Sequence, residues 1–489
     1  MKRFRIAAAL TILAASALSL GAQSPWLHLY YPNGMDYQGW DMSEILDITF
    51  DEESGKMTVN VLNDKGESVP VECEMTSISQ FRIGPNVPAI RVVTTEYYTE
   101  IPSKEYYLDG TFTLEGRGAQ EDFTYPVQIR GRGNSTWGYS KKPYRLKFDS
   151  KQRVLLPKKA KSFVLLANYI DPSMMRNFAA FKFGQIIEMP HMHHAYPVDV
   201  YFNDIYKGSY TLTGQVGFNN GSVDLTDEEE ANSIMFELDS YESTDEDEYP
   251  FDSEYFNSDY GYYLPVRVKD PDAPEGEAER EAWLTKWRDD FNKFMTIIDR
   301  GNVDEIYAAC DLESLVRYIM VANIACNQEL NHPKSVFLYK TDGGKYMFGP
   351  CWDFDWAYGY EPTYKKGQNS YWGWGDTSYP SYENPLLGHG RSDGDGGAFF
   401  YALCSNEVFI NRFREVWNDF YQNRQAQFWQ AFDEYAEMLR PSANLQGLSR
   451  SSYMKYDSNV ESLRTWIQNR FDYINTDPNM GLWEDGTLE

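Results

Sequence analysis

Charge is spread so unevenly along this chain that any fold it adopts must either bring two segments together or supply each with a counter-ion. Between Arg130 and Lys161 stand eleven basic residues, with Asp149 as the lone acid. Between Asp224 and Asp259 stand fifteen acids and no base. Concentrated like charge repels itself in a compact state. Two arrangements relieve it: the basic segment docks on the acidic one inside the fold, or it holds a phosphorylated ligand while the acidic region attracts cations. The formal net charge of −28 argues against broad binding to nucleic acid or anionic lipid.

At 489 residues the chain is long enough for two or three domains with ample core. Residues 1–22 read as a signal peptide: Lys2, Arg3 and Arg5 precede an apolar run from Ile6 to Leu20 and the small-residue exit Gly21-Ala22. That run falls short of the roughly 20 residues of a membrane span. No cysteine stands at the exit to carry a lipid, and no later stretch reaches spanning length. The expectation is an exported protein, periplasmic, cell-surface or secreted, with no integral membrane segment. Its five cysteines lack metal-ligand spacing and read as small buried hydrophobes.

Hydropathy patterning predicts an α+β protein. Residues 23–120 read as a small all-β, sandwich-like module, with period-two alternation over Met57–Leu62, Ala89–Thr94 and Thr111–Leu114. Residues 121–478 mix strands and helices, and 479–489 form a tail. In the second region Val127–Arg130 and Pro143–Phe148 read as strands around a Gly131–Ser140 loop, and Val198–Leu212 as a hairpin. Asp171-Pro172 is expected to open a helix as N-cap and first-turn residue. Helical spacing relates Trp283, Trp287, Phe291, Phe294 and Ile298, and Asp311 is expected to cap the helix bearing Leu315, Ile319 and Ala322. Ser335–Lys340 and Lys345–Phe348 form a hairpin around Asp342-Gly-Gly344.

That hairpin leads into Gly349-Pro-Cys-Trp-Asp-Phe-Asp355, where Asp353 and Asp355, two apart in an extended segment, would face one side. Two neighbouring carboxylates repel unless a cation lies between them, and magnesium takes few carboxylates plus phosphate oxygens and water. The plain alternative is a structural pair bonded to nearby N–H groups or basic residues. Arg130, Arg132, Lys142 and Lys147 supply positive charge around a glycine loop, with Asn134 and Ser135 as further donors. No Walker sequence is present, but a strand lysine beside a glycine loop is how kinase-like sites hold phosphates, and Lys147 best fits that place, with Lys142 second. The alternative is pairing of these cations with the protein's own acids. Glu237 and Asp239 share a strand face, and Glu237 could orient the lysine; otherwise they lie on a solvated face. His191, His193 and His194 lack zinc-ligand spacing. The aromatic stretch Trp352–Tyr382 and the calcium-like Ser392–Gly396 are weaker signals.

Taken in order, several motifs resemble the CotH family, spore-coat-type proteins with an atypical protein-kinase-like fold. They are Arg130-Gly131 with Asn134-Ser135, Lys141-Lys-Pro-Tyr-Arg-Leu-Lys-Phe148, Asp171-Pro172 with Arg176-Asn177, and Val200–Gly208. Glu237-Leu-Asp239, Phe337-Leu-Tyr339 and Trp352-Asp-Phe-Asp355 complete the set. The resemblance spans about residues 121–475. It implies ATP- and Mg2+- or Mn2+-dependent phosphorylation of proteins outside the cytoplasm. Lys147 would contact phosphates, Glu237 would support it, and Asp353 with Asp355 would hold metal. The family's catalytic-loop Asp has no counterpart in Asn327–Ser335, where Glu329 could act as base and Asn331 could touch metal. The expected function is therefore an ATP- and magnesium-binding protein kinase or phosphotransferase. The alternative is a non-catalytic surface or envelope protein that binds a protein partner or glycan.

Overall fold

Seven strands with alternating apolar side chains close on themselves as a barrel. A computed structural model of the protein describes residues 3–5, 26–30, 37–51, 53–63, 65–78, 80–84, 86–240, 249–254, 262–359, 381–387, 395–449 and 455–483. Around the barrel the strands run Phe123–Gly131, Tyr144–Gln152, Ala160–Leu166, Ile205–Gly214, Ala195–Phe202, Ala89–Thr94 and Leu108–Glu115. All neighbours are antiparallel except Ala195–Phe202 with Ala89–Thr94. Alternate residues point inward, so Tyr144, Leu146 and Phe148 join Phe112, Ile129, Phe163 and Leu212 in one buried core. Phe148 meets Phe112 edge-on, with ring centroids 5.1 Å apart.

The boundary expected at residue 120 falls inside this barrel. Two of its strands, Ala89–Thr94 and Leu108–Glu115, come from the region assigned to the β module. Without them Phe123–Gly131 and Ala195–Phe202 would present open edges, and closure removes that liability. The sandwich-like part is smaller: a three-stranded sheet (Trp26–Tyr30, Tyr37–Asp41, Gln80–Gly84) and a four-stranded one share the core of Leu27, Leu29, Ile48, Met57 and Val59. Of residues 1–22, Arg3–Arg5 lie among the described residues, as a strand paired with Ile45–Asp51.

A five-stranded sheet follows, in the order Phe251–Asp252, Pro265–Asp270, Ser233–Leu238, Val336–Thr341, Met347–Phe348, all antiparallel. Every residue of Ser233–Leu238 is buried, so this strand is covered on both faces. Helices Arg176–Ile186, Glu277–Arg300, Leu312–Ala325, Glu407–Asp419 and Tyr456–Thr476 share its core. Asp311 caps as expected, its carboxylate accepting from the Ser314 N–H at 2.7 Å. Asp171-Pro172 does not open its helix. Met174 turns to φ 56°, breaking the helical path, and the helix begins at Arg176. The Asp171 carboxylate still serves that end, accepting from the Arg176 N–H at 2.9 Å and pairing with its guanidinium at 2.8 Å. All five cysteines are buried and none is joined in a disulfide. No helix among the described residues is long and apolar enough to cross a membrane.

His193 is a core imidazole, its ring 5.6 Å from Phe181 and 5.0 Å from Trp352. Burial pushes its pKa from 6.5 down to about 3. The unfolded chain therefore binds a proton that the folded chain refuses. Stability contributed by neutral His193 is full above about pH 6.5 and is lost as pH falls toward 3, by up to about 1.4 kcal/mol per pH unit. In denaturant unfolding between pH 7 and 4, the wild type is expected to lose stability relative to His193→Phe as pH falls; parallel profiles would show that His193 does not contribute it.

Candidate active-site cavity

A cavity of about 790 Å³ is lined by residues of the barrel and of the five-stranded sheet. From the barrel side come Arg130, Arg132, Asn134, Ser135 and Arg145. From the sheet come Glu237, Asp239, Arg267 and Lys269, and from the chain beyond the last hairpin Trp352, Asp353 and Asp355. Segments more than 200 residues apart in sequence thus meet at one cavity.

The glycine loop owes its shape to Trp137. A Cβ at Gly131 would come within 2.1 Å of the Trp137 ring, and Gly133 adopts φ 88°. Lys142 supports this loop from behind: its Nζ donates to the Trp137 carbonyl at 2.5 Å and lies 4.3 Å from the ring centroid. Lys142 therefore does not line the cavity, and neither does Lys147. Arg145 and Lys147 share the outer face of their strand. Register sets Arg145 opposite Arg130 at the loop end and Lys147 opposite Gln128, about 6.6 Å farther along. Lys147 is exposed there, 5.7 Å from the Tyr107 ring centroid.

Arg130 donates to the Lys104 carbonyl at 2.8 Å. Arg132 lies 5.5 Å from the Trp352 ring centroid. Among the described residues neither Arg132 nor Arg145 forms an ion pair with a carboxylate. Burial pushes both guanidinium pKa values down, and the charge of Asp353 pulls that of Arg132 partly back. These are cations held at a polar cavity without a protein counter-ion in contact. Lys158 of the basic segment instead pairs with Asp224 of the acidic one, at 2.8 Å.

The acid pair is set by a turn, not by the extended segment its spacing suggested: Asp353 has φ 62°. Trp352 and Phe354 are buried on either side. Asn177 holds the turn, its Oδ1 accepting from the Phe354 N–H at 3.0 Å and its Nδ2 donating to Asp355 at 2.5 Å. Burial pushes the Asp355 carboxyl up to about 7, and the charges of Asp353 and Asp171 push in the same direction. Asp353 and Asp355, both lining the cavity, are residues that could hold a divalent cation completing its shell with phosphate oxygens and water. Asn331, expected beside it, is turned away: its amide donates to the Leu386 carbonyl at 2.8 Å and it does not line the cavity. His191, His193 and His194 form no metal cluster, since the described residues contain no group of three or more His, Cys, Asp or Glu placed to hold an ion.

Glu237 is buried, not solvated, and its partner is Lys269 of the neighbouring strand at 3.1 Å, not Lys147. Beside it Asp239 meets Arg267 at 3.7 Å. Glu329 is 2 % exposed, lies outside the cavity lining and accepts from Lys334 Nζ at 2.9 Å. Burial pushes its carboxyl up to about 7 against the pull of Lys334. Lys334 does line the cavity. Sequence reasoning missed Arg145, Lys269 and Lys334 as site residues and did not assign Asn177 to the acids. The one available signal was that Arg145 and Asn177 lie inside the quoted motifs. The aromatic residues 360–380, the acidic residues 241–248 and 255–261, and Ser392–Gly394 lie outside the described residues.

The family model described as CotH kinase protein matches residues 129–474. No curated protein matches the chain.

Asn177→Ala leaves Asp355 without its amide donor and the Phe354 N–H without its acceptor. A loss of about 1–3 kcal/mol is expected in chemical denaturation, and unchanged stability would show that the turn is held by other contacts.

Proposed function

The chain belongs to the CotH family, and we propose that it is an exported, kinase-like phosphotransferase that uses ATP with Mg2+ or Mn2+ to phosphorylate proteins outside the cytoplasm. The observation that carries this reading is the meeting, in one cavity, of Arg132 and Arg145 with Asp353 and Asp355. Guanidinium groups bind phosphate oxygens through paired, charge-assisted hydrogen bonds. The acid pair would hold the divalent ion, which when bound neutralises phosphate charge as transfer proceeds. Lys269, oriented by Glu237, adds a further cation on the sheet side. Trp352, Phe337 and Leu166 supply apolar wall that limits water and strengthens these charge interactions. No carboxylate is assigned as general base, because Glu329 is shut away behind Lys334. Export is supported by the basic and then apolar pattern of residues 1–22.

The same isolation of Glu329 favours a second reading, in which the cavity binds nucleotide or another ligand without transferring phosphate and the protein serves as a surface-binding module for protein or glycan.

Purified protein incubated with labelled ATP, Mg2+ or Mn2+ and a protein acceptor tests the first reading. Wild type is expected to bind and transfer. In thermal unfolding, ligand at 100-fold its Kd should stabilise by about 2.7 kcal/mol. Asp353→Ala should lose the metal-dependent part of ATP binding, and Arg145→Ala should weaken binding about ten-fold with or without metal. Unchanged ATP binding in both variants would overturn the site; binding without transfer in the wild type would favour the second reading.

A further inference from the structure

Resting on the nucleotide-site reading, we propose that Lys334 contacts the anionic ligand in the cavity and that Glu329 is its positioning residue, not a base. Lys334 lines the cavity, and its ammonium lies 2.9 Å from Glu329 Oε1. Glu329 is buried behind that wall, and its second oxygen, Oε2, has no hydrogen-bond partner among the described residues. A buried carboxylate with one of its two oxygens unsatisfied is costly. Such an ion pair adds little net stability to a fold, so a functional demand on the lysine is the better account of it.

The surrounding loop leaves Lys334 little freedom. Gln328 donates to the Pro385 carbonyl at 2.9 Å and Asn331 to that of Leu386 at 2.8 Å. The Gly397 N–H donates to the Asn331 carbonyl at 3.0 Å, and the Ser240 N–H to that of Pro333 at 2.8 Å. Ser335, at φ 52°, then turns the chain into its strand. Lys334 is thus presented to the cavity from a backbone tied down on both sides. An ammonium carries three donors. Glu329 accepts from one of them and so fixes the direction of the side chain. The cation so placed faces the cavity that holds Arg132 and Arg145, where an anion's phosphates would gather their charge.

The test measures ATP and adenosine binding, with Mg2+, by titration calorimetry for wild type, Lys334→Ala, Lys334→Arg, Glu329→Gln and the Glu329→Gln/Lys334→Ala double variant. Lys334→Ala should weaken ATP binding about ten-fold or more and leave adenosine binding unchanged, while Lys334→Arg recovers most of the loss. Glu329→Gln should weaken ATP binding on its own yet add no further loss in the Lys334→Ala background, because its effect passes through the lysine. The double variant removes both partners and so guards against unfolding caused by a lone buried carboxylate. Wild-type ATP affinity in Lys334→Ala, or a full additional loss from Glu329→Gln in that background, overturns the inference. Should the wild type bind no ATP, the nucleotide reading has failed, and inorganic pyrophosphate becomes the probe. Binding weakened by Lys334→Ala then upholds the lysine's role; no pyrophosphate binding by the wild type overturns it.

Discussion

The site depends on one side-chain amide. Asn177, from the helix Arg176–Ile186, accepts from the Phe354 backbone and donates to Asp355. It thereby fixes a left-handed turn that points two acids into the cavity. Behind that turn Trp352 packs against the neutral imidazole of His193, and on the cavity side the Arg132 guanidinium lies near its ring. Acids, aromatic wall and arginine are therefore held by one set of contacts, so a change at any of them is felt by the others.

Opposite charges kept apart are unusual inside a protein, where proximity would let them pair and relieve the desolvation of each. Here the nearby Glu237, Asp239 and Glu329 are matched to Lys269, Arg267 and Lys334. Arg132 and Arg145 are not matched to Asp353 and Asp355 among the described residues. A phosphate between the arginines and a cation between the acids would satisfy both sets. On the proposed reading the phosphate-holding role falls to Arg145, two residues before the lysine that the family pattern suggested.

Individual strands were legible where they alternate cleanly, and Tyr144, Leu146 and Phe148 point inward as their spacing required, but their closure into a barrel was not. The convergence of the glycine loop with Asp353 and Asp355 was legible from residue chemistry. Which cation enters the cavity was not, because Arg145 and Lys147 share one face and only the pairing with Arg130 and Gln128 separates them. The partner of Glu237 was equally hidden, since Lys269 reaches it from an adjacent strand about 30 residues later. The domain boundary failed because barrel closure is a long-range demand that recruits strands lying before residue 120. At Asp171-Pro172 the residue types of a helix start are present, but the left-handed Met174 delays the helix to Arg176.

On the proposed reading, one cavity gathers phosphate and metal between the barrel's glycine loop and the Trp352–Asp355 turn. Backbone hydrogen exchange of the full chain, with and without Mg2+ and ATP, tests it most directly. Slowed exchange is expected to be confined to residues 131–140, 334–335 and 352–355, with the sandwich-like sheets unchanged. Protection absent from all three segments, or centred on the sheets around Leu27 and Val59, would contradict it.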